Sequence, residues 1–460
     1  MRVAIVGAGI AGLTAAHDLA RDGHVVAVYE AGTQAGGLAS GFRDERWDWP
    51  LERFYHHLFT TDTAIKRLVE TIGFGDKLFF RSPNTAQWWN GRAHPIFGGA
   101  PKLGPLPLPG LVATGISTLS YPGLSLPNRV RMGAAGGYLK FFARDWRALE
   151  KVTAADWTRR WMGEDVYRAF VQPLLEGKFG PYADEVNMAW LWARLKARSF
   201  QLGYFVGGFQ AFVDALLAAV RRQGVVVRLG APVSALAPLP SGGWQLTPAG
   251  AAPEEFDAVV VTGAPGLLAK LAPTLPDHYL EQLLQLRSMG AVVMTLALTQ
   301  PLTDNQYWIN MPKGQFPFLA LVEHTNFVEP SHYGGDRLIY CGDYLDPSHE
   351  YFRLSEGELL DRFLPALKTV NPRFERTWVR KFWLHREPYA QPIVPVNHSR
   401  SIPPFATPLP GLFWASMSQV YPWDRGTNYA VELGQDVARV ASDYSAARRA
   451  RGEEFVDSPR

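Results

Sequence analysis

Val3-Ala4-Ile5-Val6-Gly7-Ala8-Gly9-Ile10-Ala11-Gly12, an alanine-rich segment after it, and then Val25-Val26-Ala27-Val28-Tyr29-Glu30 decide the fold of this chain. An apolar run leads into a Gly-x-Gly-x-x-Gly turn, a helical stretch follows, and a second apolar run ends on an acid. That order predicts strand, tight turn, helix and strand, the arrangement that binds an adenine dinucleotide. Gly7 permits the turn, Gly9 lets a pyrophosphate approach the backbone, and Gly12 lets helix and strand pack closely. Backbone N–H groups around Ala8, Ile10 and Ala11, with the positive end of the helix dipole, supply the anion site. Glu30 lies eighteen residues after Gly12, where its carboxylate can accept hydrogen bonds from ribose hydroxyls. Its charge opposes a 2′-phosphate, which disfavours NADP and leaves FAD and NAD. The expected fold class is α/β, with a Rossmann-like cofactor domain.

The next segment, Ala31-Gly32-Thr33-Gln34-Ala35-Gly36-Gly37-Leu38, separates the two dinucleotides. Its paired glycine resembles the second half of the FAD motif in the amine oxidase, protoporphyrinogen oxidase and phytoene desaturase superfamily. Three later segments resemble the same superfamily. Gly207-Gly208-Phe209-Gln210 and its helix lead to Val225–Leu229 and Val233, Phe256–Gly263 reads as a buried strand, and Gly411–Ser416 precedes a helix opened by Gly426-Thr427-Asn428-Tyr429-Ala430. The resemblance implies FAD, held in a glutathione-reductase-type domain that is interleaved with a mixed-sheet plus helical substrate domain. It also implies that Ala31, Gly36, Gly37, Leu38, Val233, Gly263, Ser416, Gly426, Asn428, Tyr429 and Ala430 border the cofactor. Val233 matches a backbone contact to adenine, and the last helix points its N-terminus at the flavin ring. Negative charge on the reduced flavin would be stabilised there.

The chain has 460 residues, 47% hydrophobic and 19% charged, a globular composition. Its 46 Lys+Arg nearly balance 43 Asp+Glu, so charge gives no nucleic-acid reading. The one cysteine, Cys341, excludes an intrachain disulfide and a cysteine metal cluster, and it reads as a buried strand residue. The first expected strand begins at residue 2, leaving no room for a signal peptide. No uninterrupted apolar run is long enough to span a bilayer, so a cytoplasmic, reducing location is expected.

Motif order argues for two interleaved domains: a cofactor domain over 1–75, 200–272 and 400–445, a substrate domain over 76–199 and 273–399, and a tail over 446–460. Ile65, Leu68, Val69 and Ile72 share one face, which predicts a helix over 62–72. Asn90-Gly91 predicts a hairpin turn. Residues 128–200 read as helical, and 275–400 mix helices with strands. Residues 99–127 are rich in Pro, Gly and Leu with Lys102 the only ionic side chain. They read as a covering loop, a flap over a substrate channel, or a surface for peripheral membrane contact.

A hydride acceptor such as a flavin needs no triad, because the protein supplies position, shape and field. His56 and His57 follow the flavin-glycine segment and are candidate proton acceptors or substrate donors. Adjacent strand residues face opposite ways, so at most one points into the site. Tyr421 is a third candidate, with Arg53, Tyr55, Trp423, Asp424, Arg425 and Asn428 bordering the ring; Asp424 and Arg425 also suit pairing or capping. Many amine oxidases carry a lysine near the flavin where this chain aligns Met294, and Leu38 replaces an arginine common after their glycine pair. These departures favour dehydrogenation of a mostly apolar or cyclic small molecule at carbon, with oxygen, a quinone or another acceptor reoxidising the flavin. Alternatives are an amine oxidase, a flavin-dependent isomerase resembling UDP-galactopyranose mutase, and a flavin-binding scaffold without turnover. The mutase reading needs arginines converging on a diphosphate, with Arg53, Arg92, Arg194 and Arg198 as candidates.

Overall fold

A computed structural model describes residues 1–97, 102, 103, 106, 107, 124–453 and 455. The opening motif folds as its spacing predicts: strand Arg2–Val6, helix Ile10–Arg21 and strand Val25–Tyr29. These strands join three distant ones in a five-stranded parallel sheet, ordered Val226–Arg228, Val25–Tyr29, Arg2–Val6, Ala258–Thr262, Leu412–Ala415. Its central strands are continuous apolar runs because both faces are covered, one by the helices Ile10–Arg21, Gly208–Arg222 and Thr427–Ala450, the other by a three-stranded antiparallel sheet (Val233–Pro238, Trp244–Pro248, Glu254–Phe256) with the helices Pro265–Leu271 and Asp277–Leu284. Helices Ile10–Arg21 and Thr427–Ala450 pack at Gly434, where an added Cβ would lie 2.4 Å from the Ala11 carbonyl oxygen.

The second large sheet has seven strands and mixed direction. Ser288–Leu298 lies between Val379–Pro392 and Arg337–Leu345; Ala320–Glu323, Gln306–Asn310 and the hairpin Asn84–Trp89/Arg92–Phe97 continue it. Asn90 and Gly91 take φ +48° and +75°, as a tight hairpin requires. Cys341 is buried in Arg337–Leu345 against the Met294 side of the sheet, and burial pushes its thiol pKa up. The expected helix over 62–72 spans Thr63–Thr71. The region from Leu126 to Ala197 is mostly helical.

Most of the 99–127 stretch lies outside the described residues. The helix beside it, Leu126–Gly137, and the turn after it expose Leu126, Val130, Tyr138, Phe141 and Phe142. Among the described residues no helix is long and apolar enough to cross a membrane.

Candidate active site

The glycine turn is tight on one side and open on the other. A Cβ on Gly7 would meet the Thr262 hydroxyl at 2.5 Å, and one on Gly12 would meet the Gly7 carbonyl oxygen at 2.0 Å. A Cβ on Gly9 would meet nothing nearer than the Gly37 Cα at 3.9 Å, so room is left where a pyrophosphate would pass. The Gly36 N–H donates to the Ala8 carbonyl at 2.9 Å, which lays the second glycine pair against the first turn. No side chain caps the helix beginning at Ile10, so its first N–H groups remain for a ligand.

Glu30 has a role the sequence reading did not contain. Its two oxygens accept from the Ala8 and Gly32 N–H groups, each at 2.8 Å. The Ala8 N–H is therefore already used and is withdrawn as a pyrophosphate donor. A carboxylate has about four acceptor positions, so ribose hydroxyls can still be taken. Gly230 and Ala231 donate to the Gly32 and Glu30 carbonyls, which draws Val233 to the same end of the sheet. Replacing Glu30 with alanine should weaken FAD affinity by about 1–3 kcal/mol, since two N–H groups lose a charged acceptor. Fluorescence titration of apoprotein reads this, and unchanged affinity would remove Glu30 from the site.

At the C-terminal helix several residues expected to border the cofactor also make contacts within the protein. The Asn428 side chain accepts from the Ala64 and Ile65 N–H groups at 2.9 and 3.1 Å and donates to Glu432 at 2.9 Å. It caps the neighbouring helix and is not free for a flavin. The Ala430 N–H donates to the Gly426 carbonyl within the first turn. Tyr429 stacks on Trp423, which stacks on Trp192. Ser416 uses its N–H on the Gln419 side chain, and its hydroxyl lies 3.3 Å from that of Tyr389. Gly426 is extended, not left-handed, and the helix N-terminus it opens has no side-chain cap.

Tyr421 is engaged elsewhere than at His56 and His57. Its hydroxyl donates to Glu150 at 3.0 Å, and its ring packs on Trp146 and His398 beside a surface cavity of about 330 Å³ lined by Pro403, Phe405 and Gln419. With its proton held by Glu150, it leaves the catalytic set.

His56 and His57 face different neighbours, as adjacent extended residues must. His56 Nδ1 donates to the Phe54 carbonyl at 2.6 Å and its ring lies 5.5 Å from Phe209. His57 packs edge-on to Phe59 and Trp308, and its Nδ1 is buried with no partner. Burial holds both imidazoles neutral, His56 at about 4 and His57 at about 3, with Arg198, Arg194 and Lys178 adding to the effect on His57. Tyr55 stands beside them against Trp308 and Tyr340, in space that a Cβ on Gly342 would fill at 2.6 Å.

Opposite the histidines lies a cluster whose key members the sequence did not reveal. The Lys178 ammonium sits 4.6 Å from the centre of the Tyr344 ring, and the Arg425 guanidinium sits 4.9 Å from the same ring and donates to its hydroxyl. Asp424 accepts from Arg194 and from the Trp190 indole, and the adjacent charges hold its carboxyl well below the usual range. Lys178 and Tyr344 carry no motif signal: one stands in a short helix, Gln172–Phe179, and the other in a strand, Arg337–Leu345, that is buried over nearly its whole length. Arg53 and Arg92 are exposed and lie outside this cluster. Met294 packs with Leu296, Leu298 and Cys341 against the helix Glu356–Val370. Strand alternation then puts Val293 and Thr295 on the opposite face, so the Met294 alignment does not mark a flavin-facing position. Among the described residues no group of His, Cys, Asp and Glu could hold a metal ion.

Residues 10–441 match the family described as flavin containing amine oxidoreductase, and the chain belongs to that family. That family is flavin-containing, and the cofactor is FAD. Over 82 residues it is 39% identical to a 15-cis-phytoene desaturase of Synechococcus elongatus, covering 18% of this chain and 17% of that protein. The matched part spans less than two thirds of each curated relative compared. A protein from Exiguobacterium sp. 255-15, provisionally named a protoporphyrinogen oxidase, shares the fold with a TM-score of 0.72 at 19% identity, over 96% of this chain and 99% of that one. Cyclohexylamine oxidase from Brevibacterium oxydans gives 0.68 at 17% identity, over 97% and 99%.

Proposed function

We propose that the enzyme dehydrogenates a cyclic organic substrate at carbon, and that the unpartnered, neutral imidazole of His57 takes the proton. That imidazole is the observation carrying the proposal. When bound, FAD supplies two-electron oxidation by accepting hydride. The substrate thus loses one hydride and one proton, and the electrons pass on to oxygen, a quinone or another acceptor. Phe54, Tyr55 and Trp308 offer the reacting part of the substrate an aromatic wall. The Phe54 carbonyl orients His56, which buttresses the turn. The cofactor would be held by the open side of Gly9, by Gly12, Glu30, Gly36 and Gly37, and by the free N-terminus of the helix at Thr427. The division into cofactor and substrate domains follows the two large sheets, whose strands come from 2–29, 226–262 and 412–415, and from 84–97 and 288–392.

Two further readings meet the same cleft differently. Arg425 would repel a protonated amine, which weighs against amine oxidation. The mutase-like alternative needs cleft arginines, and Arg194 beside Asp424 meets that need. Anaerobic titration separates them. Substrate-driven bleaching of the flavin supports dehydrogenation, bleaching by amines supports an amine oxidase, and turnover only after dithionite reduction supports the isomerase.

A further inference from the structure

The arm that carries the two histidines has little backbone support of its own. Among the described residues Phe54, Tyr55 and His56 make no backbone–backbone hydrogen bond. Before them the Arg53 N–H donates to the Ser40 carbonyl at 3.2 Å, and after them strand pairing resumes where Leu58 meets Gly203. A stretch without ladder bonds keeps one shape only if its flanks hold it. Its root is Glu52, the end of a two-residue strand that pairs with Gly41–Phe42.

Glu52 is gripped from two sides and is 1% exposed. One carboxyl oxygen accepts from the Phe209 N–H at 2.7 Å and from the Tyr204 hydroxyl at 2.9 Å, and the other lies 2.7 Å from the same hydroxyl. The Glu52 backbone carbonyl accepts from the Tyr340 hydroxyl at 2.8 Å. Gly208, at φ +76°, leaves room for the carboxyl: a Cβ there would lie 3.0 Å from the Glu52 Oε1 and 2.8 Å from the Pro50 carbonyl oxygen. Phe209 and Tyr340 in turn touch the arm. The Phe209 ring lies 5.5 Å from His56, and the Tyr340 ring lies 5.7 Å from Tyr55. Tyr55 meets Trp308 at 4.9 Å, and Trp308 meets His57 at 6.0 Å. We propose that Glu52 is a positioning residue for the dehydrogenation: through Phe209 and Tyr340 it fixes the arm that presents Tyr55, His56 and His57 to the cleft. The role rests on this arm being the reacting wall of the cleft.

The grip carries a charge condition. Among the described residues no Lys or Arg pairs with Glu52, and Arg53 beside it is exposed. The groups packed round it are uncharged. They are Tyr204 from Leu202–Phe205, Tyr307 from Gln306–Asn310, Tyr340 from Arg337–Leu345, and Tyr333, whose hydroxyl lies 2.9 Å from the Nε2 of a neutral His324. Helix Gly208–Arg222 brings the Phe209 N–H and the Gln210 amide, which bonds Gly41, and the paired strand Gly41–Phe42 brings no titratable group. Burial pushes the Glu52 carboxyl up to about 7, against the pull of the Phe209 and Tyr204 hydrogen bonds. The folded protein thus holds this proton more tightly than the unfolded chain does. That stability is complete below the ordinary glutamate range and is lost as pH rises through about 7. Above it, a buried charge without a counter-ion stands at the root of the arm, and the arm should loosen.

Hydrogen–deuterium exchange on FAD-saturated enzyme reads the arm directly. At about pH 6, Glu52→Ala should speed exchange at 54–57 by at least about tenfold while Ser288–Leu298 stays slow. Glu52→Gln keeps an acceptor for the Phe209 N–H and should match the parent. Between about pH 6 and about pH 8.5 the parent's arm should loosen beyond the intrinsic effect of pH on exchange, and that of Glu52→Gln should not. A side chain that only filled space would show neither the rescue nor the pH dependence. Where Glu52→Ala does not hold FAD, Tyr340→Phe is read in its place, since it keeps the ring and the carboxyl's bonds and should still loosen 54–57. The role is overturned if the arm exchanges as in the parent, if it loosens only as much as the whole chain does, if Glu52→Gln is as loose as Glu52→Ala, or if parent and Glu52→Gln respond alike to pH. An arm untouched in Glu52→Ala defeats this role alone, whereas His57→Ala enzyme whose flavin is reduced at the parent's rate defeats the reading beneath it.

Discussion

Replacing His57 with alanine should lower kcat by about 10²–10⁴-fold, the usual share of a general base, while FAD remains bound. The expectation rests on the asymmetry of the two histidines. His56 gives its Nδ1 proton to the Phe54 carbonyl and packs on Phe209, so its removal loosens a turn. His57 has no such partner and faces the cations. His56→Ala should therefore cost much less in kcat and show its effect in thermal stability. Stopped-flow reduction of the flavin separates the two, because proton removal belongs to the reductive half-reaction. Equal and negligible losses in both variants would return both residues to packing and leave hydride transfer without a side-chain base.

The second large effect is expected from one methyl group. Gly12→Ala places a Cβ 2.0 Å from the Gly7 carbonyl oxygen and 3.0 Å from the Thr262 hydroxyl. Both neighbours belong to the cofactor turn, and the nearer one is backbone with no rotamer to adopt. Helix Ile10–Arg21 must shift off the sheet, costing about 1–3 kcal/mol or more in stability and misplacing the N–H groups that hold the pyrophosphate. The variant should purify colourless or with weakly held FAD and melt early. Gly136→Ala is the control, since nothing lies within 4 Å of the added methyl and the backbone is helical; it should be neutral or stabilising by about 0.5 kcal/mol. Full flavin content in Gly12→Ala would mean the turn accommodates what its geometry excludes.

The cofactor half of the enzyme was legible because its chemistry is local. Gly7, Gly9, Gly12 and Glu30 sit within one strand–turn–helix–strand unit, and each residue type answers a constraint imposed within some thirty positions. The hairpin at Asn90-Gly91 and the helix Thr63–Thr71 were legible for the same reason, as turn chemistry and periodicity act between near neighbours. Side-chain destinations at Asn428 and Tyr421 were not. Asn428 bonds residues 64 and 65, and Tyr421 bonds residue 150, partners that local spacing cannot supply.

The sequence by itself determined that this polypeptide builds a dinucleotide cradle, and its paired second glycines pointed to FAD. Glycine spacing and a well-placed acid demand that backbone geometry wherever the rest of the chain goes. Only the tertiary structure decided what faces the cleft. Lys178, Arg194 and Arg425 come together because two helices that are near neighbours in sequence, Gln172–Phe179 and Met188–Ala197, meet a loop far along the chain before Thr427–Ala450, and Coulomb energy depends on distance in space.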